Sequence, residues 1–161
     1  MVLGQRVPGR TPAERRWRSS SVLLSHEMQE AQLPAKTRIS IIDDDEDFRE
    51  ALQGLMTSMG FTVEAFSSAL DFLARTNIRD TSCLIVDVHM PGMTGIELHR
   101  RLVDSGYAIP TILVTAYPDE SVRVRAMADG VIGYLTKPCD SDELLRCVAT
   151  ALQRSGPGEQ H

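Results

Sequence analysis

From residue 38 onward the sequence alternates between short apolar runs of strand length and longer segments in which apolar residues recur at helical spacing, and this constrains the fold most. Arg38 to Ile42 reads as a strand; an acidic run follows, then Phe48, Ala51, Leu52, Leu55, Met56 and Met59 on one helical face. Gly60 stops that helix, Phe61 to Ala65 reads as a second strand, and Ser67 or Ser68 can cap a short helix carrying Leu70, Phe72 and Leu73. The unit repeats. Cys83 to Asp87 is a buried strand, Thr94 can cap a helix bearing Ile96, Leu98 and Leu102, and Thr111 to Thr115 is the next strand. A helix from Glu120 to Ala128 ends at Gly130, and Val131 to Leu135 supplies a fifth strand. Asp140 or Ser141 opens a last helix whose stripe is Leu144, Leu145, Val148, Ala151 and Leu152.

Five strands alternating with five helices predict an α/β fold, a doubly wound parallel sheet with helices on both faces, because right-handed crossovers place them there. Ligands of such sheets sit beyond the carboxyl ends of the strands. That rule selects Asp43 and Asp44 after the first strand, Asp87 at the end of the third, Thr115 at the end of the fourth and Lys137 after the fifth.

With 161 residues, 42% of them hydrophobic, the chain suits one domain that needs neither disulfides nor a structural metal to hold its core. Residues 1–37 are rich in Arg, Ser, Pro and Gln and read as a disordered basic extension, with a helix near Ala13 to Met28 as an alternative and Met28 as an alternative start. The domain is assigned to residues 38–154 and a disordered tail to 155–161. Residues 1–38 carry seven Lys/Arg against three Asp/Glu, and the rest carries ten against nineteen, so the body is acidic. An acidic body repels a nucleic-acid backbone and attracts cations. No apolar run approaches the roughly 18 residues of a membrane span, and Val22 to Leu24 is too short for a signal-peptide core. Cys83, Cys139 and Cys147, odd in number and widely spaced, fit a reducing, cytoplasmic setting and lack zinc-site spacing.

Two carboxylates 4 Å apart repel by about 4 kcal/mol at an effective dielectric of 20, so three on one rim call for a cation. All-oxygen ligands suit Mg2+ or Mn2+ better than zinc. Three carboxylates, one divalent metal and Lys137 sum to zero charge. Such a site can hold a phosphoryl group, with a carboxylate as nucleophile, metal and lysine neutralising its oxygens, and the Thr115 hydroxyl facing a third oxygen.

The runs Ile41-Ile42-Asp43-Asp44-Asp45-Glu46-Asp47-Phe48-Arg49, Leu84-Ile85-Val86-Asp87-Val88-His89-Met90-Pro91-Gly92-Met93-Thr94-Gly95, Val114-Thr115-Ala116 and Gly133-Tyr134-Leu135-Thr136-Lys137-Pro138 together resemble the receiver domain of bacterial two-component response regulators. The resemblance covers residues 38–154 and implies a flavodoxin-like sheet in the order 2-1-3-4-5. It implies that Asp87 accepts a phosphoryl group from a sensor histidine kinase or phosphotransfer protein. Asp44 then corresponds to a direct Mg2+ ligand, Asp43 to one acting through water, and the backbone carbonyl of His89 to a further ligand beside Asp87. Lys137 corresponds to the lysine that grips the phosphoryl group, Thr115 and Tyr134 to the switch pair, and the Lys137–Pro138 bond is expected cis. The face made by helix four, strand five and helix five would meet a downstream protein or a second copy.

Cys139 stands where many relatives have Phe, which changes a packing contact beside the switch. Asp45, Glu46 and Asp47 are explained by the preference of helix N-termini for acidic residues, without a ligand role. An EF-hand loop beginning at Asp43 fails, because Phe48 stands where glycine is needed and Gly54 where the bidentate Glu belongs. His89 and Tyr117 overhang the phosphorylation site in the resemblance and are candidates to screen water from it, against a reading as plain loop residues. Met56, Met59 and Met127 read as helix-face packing.

The leading expectation is a stand-alone receiver that catalyses only its own phosphotransfer and dephosphorylation, since seven polar residues after the last helix leave no room for a DNA-binding module. A truncated or split transcriptional regulator is the alternative within the family, and a phosphorylation-independent pseudo-receiver is another. A haloacid-dehalogenase-like phosphatase would want a second Asp where this chain has His89.

Overall fold

The computed structural model describes residues 37–75 and 77–154; the expected N-terminal extension, apart from Thr37, and the expected C-terminal tail lie outside them. Their architecture follows from two strands that are apolar on both faces. In β3 (Cys83–Asp87) and β4 (Thr111–Thr115) every residue is buried, which requires helices above and below. β1 (Arg38–Ile42) is nearly as dry, whereas β2 (Thr62–Phe66) is only half-buried and closes one edge. β5 (Gly133–Thr136) closes the other. All pairings are parallel, in the order β2-β1-β3-β4-β5, so the flavodoxin-like topology is the one found.

The helices are α1 (Glu46–Ser58), α2 (Ala69–Leu73), α3 (Gly95–Asp104), α4 (Glu120–Ala128) and α5 (Ser141–Arg154), with a single 3-10 turn at Ile78–Asp80. Their starts are chemically marked. Asp45, Ser68 and Asp119 cap α1, α2 and α4 with side-chain oxygens. Thr94 and Glu97 form a reciprocal capping box on α3, and Asp140 accepts from the Glu143 amide at the start of α5. α1 stops where Gly60 takes φ +96°, open to glycine and strained for other residues. Leu52 and Met56 of α1, Leu98 and Leu102 of α3, and Leu144, Val148 and Leu152 of α5 are buried. Each contributes about 1.5–3 kcal/mol by leaving water. No helix among the described residues is long and apolar enough to cross a membrane.

Four details differ from the sequence reading. β2 spans 62–66 rather than 61–65, and β5 begins at Gly133 rather than Val131, because Val131 closes the α4 turn through its amide bond to the Ala126 carbonyl. Leu70 is 61% exposed, since in a helix of five residues Ala69 and Phe72 take the inward positions. Met127 is 40% exposed: α4 buries Ala126 and leaves Val124 and Met127 in water.

Candidate functional site

Parallel strands carry their carboxyl ends to one rim, and there the apolar runs give way to polar residues. Asp43 follows β1, held by its amide bond to the Phe66 carbonyl of β2, and its side chain is 1% exposed. Its Oδ1 accepts the Asp45 N–H at 2.9 Å, and its carbonyl accepts Arg49 Nη1 at 2.7 Å. The first turn of α1 thus clasps the acidic loop from within. Asp44 is exposed beside it. Asp87 is the last residue of β3, 5% exposed, with its Oδ1 accepting the His89 N–H at 3.4 Å. One carboxylate oxygen from each of Asp43, Asp44 and Asp87 lies within 4.8 Å of the others.

Lys137 enters from the far edge. Its amide donates to the Thr115 carbonyl at 2.8 Å, and the Lys137–Pro138 bond is cis. The side chain reaches back so that Nζ lies 2.8 Å from Asp43 Oδ2, 3.6 Å from Asp87 Oδ2 and 4.3 Å from the Phe48 ring centroid. Burial opposes the charge on this ammonium. The close ion pair with Asp43, together with the charges of Asp87 and Asp45, outweighs burial and holds its pKa above the ordinary value. Asp87 shows the opposite imbalance: burial first and the Asp43 charge second push its carboxyl up to about 6, against the pull of Lys137 and the His89 amide.

The three carboxylates offer only hard oxygen donors, so the set fits Mg2+ better than zinc. Thr115 is fully buried at the end of β4, and its Oγ1 accepts the Tyr117 N–H at 3.0 Å. Tyr134, two residues before the end of β5, accepts the N–H of Asp119, the α4 cap, on its hydroxyl at 3.1 Å. Above the rim the His89 and Tyr117 rings meet edge to face, 5.8 Å between centroids, joining the loops after β3 and β4. The structure therefore brings Asp43, Asp44, Asp87 and Lys137 into one cluster, with Thr115 on the adjoining strand end. Of His89, it is the amide that meets Asp87; Tyr134 meets the α4 cap rather than the cluster.

Three residues at the rim escaped the sequence reading. Gly95 opens α3 so close to β3 that any Cβ there would collide with the Asp87 carbonyl. Arg49 anchors the Asp43 carbonyl, and the Phe48 ring approaches Lys137. All three stand in the quoted motifs, but helical spacing assigns Phe48 to packing and is silent on the others.

Known proteins resemble this chain in sequence and in fold. A family model described as the response regulator receiver domain matches residues 39–149. The response regulator protein TodT of Pseudomonas putida is 41% identical over 115 residues, which are 71% of this chain and 51% of TodT. The transcriptional regulatory protein FixJ of Bradyrhizobium diazoefficiens is 34% identical over 125 residues, 78% of this chain and 61% of FixJ. Among solved structures, response regulator StyR superposes with a TM-score of 0.70 at 39% identity, covering 75% of this chain and 61% of StyR. FixJ-N gives 0.67 at 33% identity, covering 73% of this chain and 94% of that one. The chain thus spans about half the length of TodT.

Proposed function

The chain belongs to the response regulator receiver domain family, and from that premise we propose that Asp87 accepts a phosphoryl group from a sensor histidine kinase or phosphotransfer protein and that the modification resets a protein-interaction face. The observation that carries this reading is the clustering of Asp43, Asp44 and Asp87 oxygens within 4.8 Å, with Lys137 Nζ spanning Asp43 and Asp87.

Asp43, Asp44 and Asp87, with the His89 carbonyl, would hold Mg2+, whose charge neutralises phosphoryl oxygens when it is bound. An Asp87 carboxylate oxygen forms the new bond to phosphorus as the bond from phosphorus to the donor histidine nitrogen breaks, its electron pair leaving on the imidazole. The product is an acyl phosphate. Lys137 donates to one phosphoryl oxygen. The Thr115 hydroxyl turns toward another, giving up the Tyr117 amide that it now accepts. Tyr134 follows inward, and its hydroxyl leaves the Asp119 amide at the α4 cap. The rim is thereby coupled to α4, β5 and α5, whose surface meets a downstream protein or a second copy. The His89–Tyr117 ring pair shields the acyl phosphate from water. On this reading the chain turns over no external substrate, acts in the cytoplasm and works by protein contact.

Incubation with phosphoramidate, followed by intact mass, tests the acceptor role. The expected result is a single phosphoryl adduct that requires Mg2+ and is lost in Asp87→Asn. No adduct on the wild type, in conditions where a control receiver reacts, would overturn the reading.

A further inference from the structure

Phe48 is the third residue of α1 and lies on its apolar stripe, yet it is only half-buried and its ring meets a charge. Lys137 Nζ stands over the ring, 4.3 Å from its centroid. A cation at that distance is drawn to the negative face of the ring, more strongly as water is removed, and the Lys137 side chain is 13% exposed. The turn that carries the ring is well anchored: Asp45 Oδ1 accepts the amides of Asp47 and Phe48, while the Asp45 amide donates to Asp43 Oδ1. Asp43 and Phe48 are thus two arms of one capped turn, and they hold the same ammonium.

The second arm matters because lysine is a compact charge on a flexible four-carbon stem. Asp87 at 3.6 Å is too far to fix it by a hydrogen bond, and the exposed Asp45 also attracts it. A ring has a property that a second carboxylate lacks. Its attraction is broad and leaves no buried acceptor unpaired when the ammonium shifts toward an oxygen newly attached to Asp87. We propose that Phe48 is a positioning residue for phosphotransfer, its ring face holding the Lys137 ammonium between Asp43 and Asp87. The functional half of this inference rests on Asp87 being the acceptor; the ring contact stands without it.

The test uses the full chain and two variants, Phe48→Leu, which keeps apolar bulk, and Phe48→Tyr, which keeps the ring face. Proton NMR of the Lys137 side chain reads the contact directly: the expected result is an upfield ring-current shift in wild type and Phe48→Tyr that disappears in Phe48→Leu. The rate of phosphoramidate adduct formation at saturating Mg2+ should fall about fivefold in Phe48→Leu and stay near wild type in Phe48→Tyr. Absence of the ring-current shift in wild type overturns the inference, as does an equal slowing of both variants, which would mark Phe48 as packing only. If wild type gains no adduct at all, the acceptor role of Asp87 fails, and with it the functional half, while the ring-current shift still decides the contact.

Discussion

The four residues from Cys83 to Val86 and their neighbour Asp87 belong to one strand and are all buried, but for opposite physical reasons. Leu84, Ile85 and Val86 gain by leaving water, and nothing in their surroundings opposes them. Asp87 loses by leaving water and lies next to another buried carboxylate, so its proton affinity rises and its carboxyl is pushed up to about 6. The interior of the sheet is thus at rest, whereas its carboxyl rim is held under electrostatic tension by that interior. The rigid half fixes the positions, and the tense half is one that a cation would relieve.

Mutations should separate the two halves. Leu113→Ala removes a fully buried side chain of β4 and should cost about 3 kcal/mol in urea unfolding, with no change on adding Mg2+. An Mg2+-dependent cost would break the division. Asp87→Asn should act in the opposite direction. The folded carboxyl is raised from 3.8 to about 6, so the folded state binds the proton more tightly than the unfolded one. Its contribution to stability is therefore complete below pH 3.8 and lost as pH rises through about 6. In a chelator the Asn variant should match the wild type in acid and exceed it by about 3 kcal/mol above pH 6, a gap that Mg2+ narrows. Unfolding curves across that range would show it, and a gap of constant size would contradict it. The smallest effect belongs to the link between rim and helix. Tyr134→Phe removes one acceptor at the exposed α4 cap, so stability should fall by about 1 kcal/mol or less while the Asp119 amide exchanges faster with solvent.

The same contrast explains what was legible in the sequence. Burial of both faces gives β1, β3 and β4 unbroken apolar runs, and their bounds are read directly from the residues. The edges are less legible. β5 starts where Gly133 pairs with Ile112 beneath Cys147, so closely that a Cβ on Gly133 would lie 2.7 Å from the cysteine sulfur, and no local pattern announces that contact. Periodicity misplaces Leu70 because five residues define a helix face poorly, and Met127 because α4 carries apolar residues around its circumference. At the rim, Asp43, Asp44, Asp87, Thr115 and Lys137 follow from strand ends alone. Phe48 does not, because the rule that finds core residues cannot tell a ring packed on leucine from a ring under an ammonium.

On this reading the buried carboxylate of Asp87, and no other on the rim, takes the phosphoryl group. Borohydride reduction of the phosphorylated protein converts an aspartyl phosphate to homoserine, and peptide mass mapping then locates it. Homoserine at position 87 alone is the predicted result; homoserine at position 43 or 44, or at neither these nor 87 in a protein that carries the adduct, would contradict the account.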